Sequence, residues 1–482
     1  MRSRSILPPW NAKAAFFFYQ TIRGSALQIP FVYAIVSETG LEVLFLSPNS
    51  RRRKGRQKSY IDIGALFGLL DYSGPPLLIF RRKNPRSQLM KEYEPYTRRL
   101  YALLLVLCAF GAIIQYSASC YMCGNSSKYG YDPTALCRKQ ILFVLVFLVG
   151  TFIIQHFNYQ LLKSGLAPFL YLASIASIFV LLFSGDSLNG ATRSLNLGFI
   201  AFAPSELMKV TVPIMMAWFI LHNSRALGDV AMTFILWGLG GVPSVLLLII
   251  SNDLSSAIVV LLMTFCITLV VCKTWKWHLG VFLLILLAAV IIVLYIGSDL
   301  PTADELADLS FRTKRIIAWL APEQYPNTIG YQVTHTLYAV GSGGFTGNGI
   351  GTFQKLKDLV PEAYTDVIFA VIIYELGLLG AAVTLLFYAL IIWQMIRICI
   401  EAEDLFGSVM VLGYSCHIAI QVLLHIAVVL NLMPNTGQTL PLISCGGTMF
   451  LCLAGEFGLV MSVYRFRCYR KADTEVNAPS GL

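Results

Sequence analysis

Asp253 sits in the stretch Ser251-Asn252-Asp253-Leu254-Ser255-Ser256-Ala257, between two apolar runs, Leu239–Ile250 and Leu254–Cys272. A carboxylate there is costly to desolvate and marks a functional site by default. It could act as a general base on a hydroxyl that it reaches. Glu206 and Lys209 lie three apart in Pro204-Ser205-Glu206-Leu207-Met208-Lys209, so they share a helix face and can pair. Pro204 and Ser205 read as a helix start. That reading leaves Lys209, one turn into an apolar helix, better explained as half of a buried pair beside a polar cleft. Arg193 follows Asn189-Gly190-Ala191-Thr192, and its planar fork suits a phosphate. Asp366 fits a helix start by its charge. Glu375, deeper in the same run, does not, and needs a partner or a water-lined cavity. Arg312, Lys314 and Arg315 lie on the amphipathic stretch Arg312–Leu320, which suits an interfacial helix near anionic headgroups.

These residues need a scaffold, and composition says which kind. The chain has 482 residues, 56% hydrophobic and 13% charged, whereas soluble proteins carry roughly 25% charged residues. Successive apolar runs approach the ~20 residues that cross a hydrocarbon core. The fold class is therefore all-α and polytopic, since a β-barrel would show ~10-residue alternating segments. Ten transmembrane helices are expected near 99–121, 138–157, 161–184, 204–222, 230–250, 254–272, 276–297, 365–398, 405–431 and 440–464. Arg98, Arg99, Lys273, Lys276, Arg397, Arg465, Arg467, Arg470 and Lys471 then share one face, which the positive-inside rule makes cytoplasmic. Both termini lie on that side. Arg193, Asp253, the segment 434–447 and a large extracytoplasmic loop at 298–364, between spans 7 and 8, gather on the other. The net charge of +10 follows this topology and is no nucleic-acid signal.

Residues 1–97 read as an N-terminal cytoplasmic extension, 98–466 as the transmembrane domain and 467–482 as a short cytoplasmic tail. Met90 offers an alternative start of translation. The eleven cysteines lie mostly inside apolar runs, where Cys acts as a small hydrophobe. Cys120, Cys123 and Cys137 lie in or beside one loop, where an oxidising space would permit a disulfide. The histidines show no ligand spacing, so no metal site is assigned to them. The run Gly341–Gly351 completes neither a G-x-G-x-x-G nor a Walker A motif, which argues against a nucleotide. It suits a loop that folds back into a cleft with close backbone approach.

Read together, these segments resemble the SEDS family (shape, elongation, division and sporulation), which includes FtsW, RodA and SpoVE. The resemblance covers about 95–466. It rests on Tyr116-Ser117-Ala118-Ser119, Asn189–Arg193, Pro204-Ser205-Glu206 with Lys209, Asp253-Leu254, Gly330-Tyr331-Gln332, the glycine run, Pro361-Glu362 through Asp366, and Pro434–Gly447, in the family's order. The Asn-Gly-Ala form at 189–191 is closer to the FtsW/SpoVE branch. The resemblance implies a peptidoglycan glycosyltransferase that polymerises lipid II with a class B penicillin-binding protein, in division, shape or sporulation. Asp253 matches the family's essential aspartate and would be the base. Arg193, Glu206, Lys209, Arg312, Arg315, Gln332 and Glu375 would form the substrate-binding set. Cations would meet the charge growing on the departing pyrophosphate, with a divalent ion, Mg or Mn, as the one cofactor candidate. Attack on an α-linked donor to give a β-1,4 link implies inversion. A lipid II flippase and a non-catalytic division scaffold are the competing readings. This chain departs from the family pattern at Ser194, at Ser255-Ser256, at Tyr364 and at Tyr374 beside Glu375.

Overall fold

The computed structural model describes residues 31–37, 40–46, 95–183, 194–196, 201–298, 300–301, 305–353, 360 and 362–477. The chain divides into two units, Met1–Arg82 and Lys83–Leu482. In the first, β1 (Phe31–Ser37) pairs antiparallel with β2 (Gly40–Leu46), in a register that sets Phe31 opposite Leu46.

The second unit is helical. Its long apolar helices are α1 (Pro95–Gly124), α2 (Ala135–Ile154), α4 (Pro204–His222), α5 (Val230–Ile249), α6 (Leu254–Val271), α7 (Trp275–Gly297), α10 (Ile368–Glu401), α11 (Leu405–Val429) and α12 (Gly447–Asn477). Among the described residues, these nine are long and apolar enough to cross a membrane. The protein is a multi-pass membrane protein. The expected third span is α3 (Leu166–Val180), which is shorter. Its 15 residues rise ~22 Å, below the ~30 Å core, because Ser164-Gly165 delays its start and a turn follows Val180. Strands β3 (Leu195–Asn196) and β4 (Ala201–Phe202) form a small ribbon ahead of α4.

The segment between α7 and α10 is not structureless. It holds α8 (Phe311–Leu320), capped by Ser310, and α9 (Tyr331–Gly343). The core is built where α6 meets α5 and α11, where α4 meets α3 and α11, and where α2 meets α12. Phe147 packs edge-on against Phe450 and Phe457 in the last of these contacts. The side chain of α7 that is buried is His278; most of the others are exposed on the outside of the bundle. At the other end of the bundle Asp404 caps α11. It accepts from Gly407 N at 2.7 Å, Gln160 at 2.9 Å and Tyr159 at 3.0 Å, and it pairs with Lys163. Burial raises the Asp404 carboxyl, but these donors outweigh it and hold the group below the ordinary carboxylate range.

Helix α10 is broken. Gly377, with φ 67° and ψ −168°, interrupts it two residues beyond Glu375. A break leaves backbone groups without helical partners, and at membrane depth those must be satisfied by protein. The glycine run does this. Leu378 and Leu379 donate to the carbonyls of Gly344 and Phe345 at 3.0 and 3.2 Å, while Asn348 and Gly349 donate to Tyr374 and Glu375 at 3.0 and 2.9 Å. The run does fold back, onto the gap in α10.

Candidate active site

Asp253 is the N-cap of α6. Its Oδ1 accepts from Ser256 N at 3.1 Å and from Ser255 Oγ at 2.7 Å. Capping explains why a carboxylate stands at this helix start. Exposure separates it from the carboxylates deeper in the bundle: Asp253 is 8% exposed, against 0% for Glu375 and 1% for Glu456. The turn before it is tight. Asn252 has φ 53°, and Ser251 Oγ donates to the carbonyl of Leu247 at 2.6 Å.

Arg312 reaches this turn from α8. Its Nη2 donates to Asn252 Oδ1 at 2.7 Å and to the Leu248 carbonyl. The guanidinium expected to meet substrate phosphate is thus spent, at least in part, on the turn that carries Asp253. Arg315 lies over the Phe311 ring, 4.4 Å from its centroid. Trp319 Nε1 donates to the Asn431 carbonyl at 2.9 Å, so α8 also holds the end of α11. Arg312→Ala is expected to lower stability by about 1.5–3 kcal/mol, the worth of a charge-assisted hydrogen bond. Activity should fall on the order of 10- to 100-fold, because Asp253 would shift. Thermal unfolding beside a polymerisation assay checks both. Lost activity with unchanged unfolding would return Arg312 to a direct substrate contact.

The pairing of Glu206 with Lys209 is present, with Nζ 2.6 Å from Oε1. Its setting is buried, as expected of the pair. Lys209 is fully buried, and the Glu206 side chain is 14% exposed. Lys209 also lies 3.4 Å from Gln421 Oε1. Gln332 accepts from Asn435 Nδ2 at 2.8 Å, beside a small crevice also lined by Thr336, Val367 and Val428. This ties α9 to the segment at 434–447.

Glu375 has a partner set within the protein. Its Oε1 accepts from Ser117 Oγ, from Gly351 N at 2.9 Å and from Phe353 N at 3.1 Å. It anchors the end of the glycine run to α1 and α10, and so acts here on the fold. Arg193 and the preceding Asn189–Thr192 lie outside the described residues. Tyr364, at a family departure, is held above its ordinary pKa by burial first and then by the charge of Glu362. That position therefore carries a neutral hydroxyl at physiological pH.

Sequence reasoning missed Gln421, His417 and Glu456. His417 Nδ1 lies 2.8 Å from Glu456 Oε2, and His417 Nε2 lies 2.6 Å from Gln421 Oε1. The available signal was a histidine and a carboxylate, each alone in a membrane helix, where an isolated charge is costly. Among the described residues the eleven cysteines form no disulfide, Cys120, Cys123 and Cys137 included. Among the described residues no group of three or more His, Cys, Asp or Glu side chains is arranged to hold a metal. The donors among the described residues therefore do not fit a resident divalent ion, and no chemistry is routed through one.

A family model described as "Cell cycle protein" and named for FtsW, RodA and SpoVE matches residues 98–469. The stage V sporulation protein E of Bacillus subtilis is 30% identical over 374 residues, which span 77% of this chain and 97% of that protein. The peptidoglycan glycosyltransferase MrdB of Escherichia coli is 31% identical over 389 residues, spanning 80% of this chain and 97% of MrdB. Among solved structures, one titled as the structural coordination of polymerization and crosslinking by a peptidoglycan synthase complex contains a similar chain. It has a TM-score of 0.60 and 26% identity, and the match covers 76% of this chain and 97% of that one.

Proposed function

The chain belongs to the FtsW/RodA/SpoVE family of cell cycle proteins, and on that footing we propose that it is a peptidoglycan glycosyltransferase. It polymerises lipid II, the undecaprenyl-linked disaccharide-pentapeptide, into β-1,4 glycan at the outer face of the cytoplasmic membrane. The observation that carries the reading is Asp253. It is a carboxylate held by a helix cap, only 8% exposed, on a turn that a cation from another helix also grips.

The chemistry follows. The acceptor sugar's 4-hydroxyl must lose a proton as its oxygen attacks the donor's anomeric carbon. Asp253 takes that proton as general base. The bond to the lipid pyrophosphate breaks on the opposite side of the carbon, so the configuration inverts. The departing pyrophosphate gains charge, and Arg193 and Arg315 are the cations assigned to it, while Arg312 holds the turn that carries Asp253. Glu206 and Lys209 shape the floor of the site. Any divalent ion would arrive with the substrate's pyrophosphate. A class B penicillin-binding protein is the transpeptidase partner, and both termini face the cytoplasm.

The flippase alternative needs polar groups open to a path across the bilayer. Polar side chains do occur at depth in this protein. His417, Gln421 and Glu456, however, are each at most 2% exposed and bonded to one another, which favours a sealed network over a path. The test is polymerisation of lipid II by the purified protein with its transpeptidase, with moenomycin present to silence other polymerases. Glycan that grows with enzyme concentration is expected. Its absence from an intact complex would sink the proposal.

A further inference from the structure

The buried polar network runs farther than the proposed chemistry uses, and its hydrogen-bond directions can be read atom by atom. Gln421 Nε2 lies 3.0 Å from the carbonyl of Thr439, in the segment between α11 and α12. A carbonyl only accepts, so the amide nitrogen must face it. Gln421 Oε1 then faces both Lys209 Nζ, at 3.4 Å, and His417 Nε2, at 2.6 Å. An amide oxygen also only accepts, so His417 Nε2 must carry a proton. His417 Nδ1 lies 2.8 Å from Glu456 Oε2. One proton therefore sits between those two atoms, on whichever of them holds it. The other Glu456 oxygen, Oε1, has no hydrogen-bond partner among the described residues. Lys209, Gln421, His417 and Glu456 are all at most 2% exposed.

We propose that Gln421, oriented by the His417–Glu456 pair, is a positioning residue for the Glu206–Lys209 pair and for the Thr439 segment. Three elements meet at its side chain: α4 through Lys209, α11 through His417, and the backbone of the segment that also carries Asn435. The amide offers its oxygen to two donors and its nitrogen to the carbonyl and hydroxyl of Thr439, so a single orientation satisfies them all. Glu456, on α12, works one step farther out. By bonding Nδ1 it leaves Nε2 as the donor toward Gln421. The same role would be filled by a neutral amide at 456, since a Gln side chain also donates to Nδ1. This inference rests on the reading that Glu206 and Lys209 belong to the glycosyltransferase site.

The test compares Gln421→Met, Gln421→Glu and Glu456→Gln with the wild type, as the full-length complex with its transpeptidase. Met is close in volume and adds no buried charge, so it is the gentler change for packing. Glu keeps the acceptor toward Lys209 and His417, loses the donor toward the Thr439 carbonyl and buries a carboxylate, which is the harsher change for the fold. A positioning role predicts the opposite order in activity. Gln421→Met should lower kcat/KM on the order of ten-fold, Gln421→Glu should lower it less, and Glu456→Gln should stay near the wild type. Equal rates for wild type and Gln421→Met, or Met outperforming Glu, would overturn the inference while leaving the enzyme reading intact. A second measurement needs no activity. The ¹⁵N spectrum of histidine-labelled protein, with His417 assigned by its loss in His417→Leu, should show a proton on Nε2. An unprotonated Nε2 overturns the inference even if no glycan forms. Absent glycan with a protonated Nε2 would sink the enzyme reading alone.

Discussion

Asp253→Asn is expected to lower lipid II polymerisation on the order of 10²- to 10⁴-fold, the usual worth of a positioned general base, while the protein stays folded. The structure makes this substitution clean. Asn keeps an oxygen where Oδ1 now accepts from Ser256 N and Ser255 Oγ, and Asn caps helices about as well as Asp. The lost interaction with the helix dipole and any loss of capping together cost about 1 kcal/mol or less. What disappears is the ability to hold a proton taken from the acceptor hydroxyl. Asp253→Ala is the informative companion, because it removes cap and base together. It should be as inactive as the Asn variant and less stable by about 1 kcal/mol. An active Asp253→Asn enzyme would remove Asp253 as the base and leave it as a cap. Inactivity accompanied by unfolding would make the effect structural.

How much of the fold and site was legible beforehand depends on how far apart the interacting residues lie in the chain. The membrane helices could be read because apolar length is a local property. The Glu206–Lys209 pair could be read because three residues along a helix bring side chains together, and the pair is there at 2.6 Å. The start of α6 at Asp253 could be read from the change of composition across 251–253. Partnerships across helices could not. His417 and Glu456 are 39 residues apart, and nothing in either helix names the other. Arg312 looked like a phosphate ligand because its charge is visible in the sequence, whereas its hold on Asn252, 60 residues away, is not. Helix α12 begins at Gly447; the expectation of 440 arose because 440–446 is as apolar as a helix. Leu440 N instead finds Ser444 Oγ at 2.9 Å, and Ser444 Oγ donates to the Thr365 carbonyl at 2.7 Å. A buried loop whose backbone is satisfied by side chains carries the same hydropathy as a span.

Gly347→Ala is the other substitution with a large expected effect, on stability first. A Cβ at 347 would stand 2.2 Å from the carbonyl oxygen of Glu375 and 2.6 Å from Gly377 N, both backbone atoms that cannot swing away. Its φ of 80° adds strain for any residue with a side chain. Strain of ~1–3 kcal/mol and overpacking of ~1–3 kcal/mol together give a loss of about 2–6 kcal/mol. The site matters because this contact closes the break in α10. If the glycine run is pushed off, Leu378 and Leu379 lose their acceptors, and Glu375 loses the backbone donors of Gly351 and Phe353. Two other glycines of the same run separate contact from flexibility. Gly349 has φ 98° but nothing nearer than Thr352 Cγ2 at 3.8 Å, so Ala there should cost only the backbone strain of ~1–2 kcal/mol. Gly341 has open space around it and lies within α9, so Ala there should be neutral or slightly stabilising. Thermal unfolding of the three variants should therefore rank 347 as far the most damaging, then 349, then 341. Equal losses at 341 and 347 would mean that the run serves as a flexible linker and does not seal the broken helix.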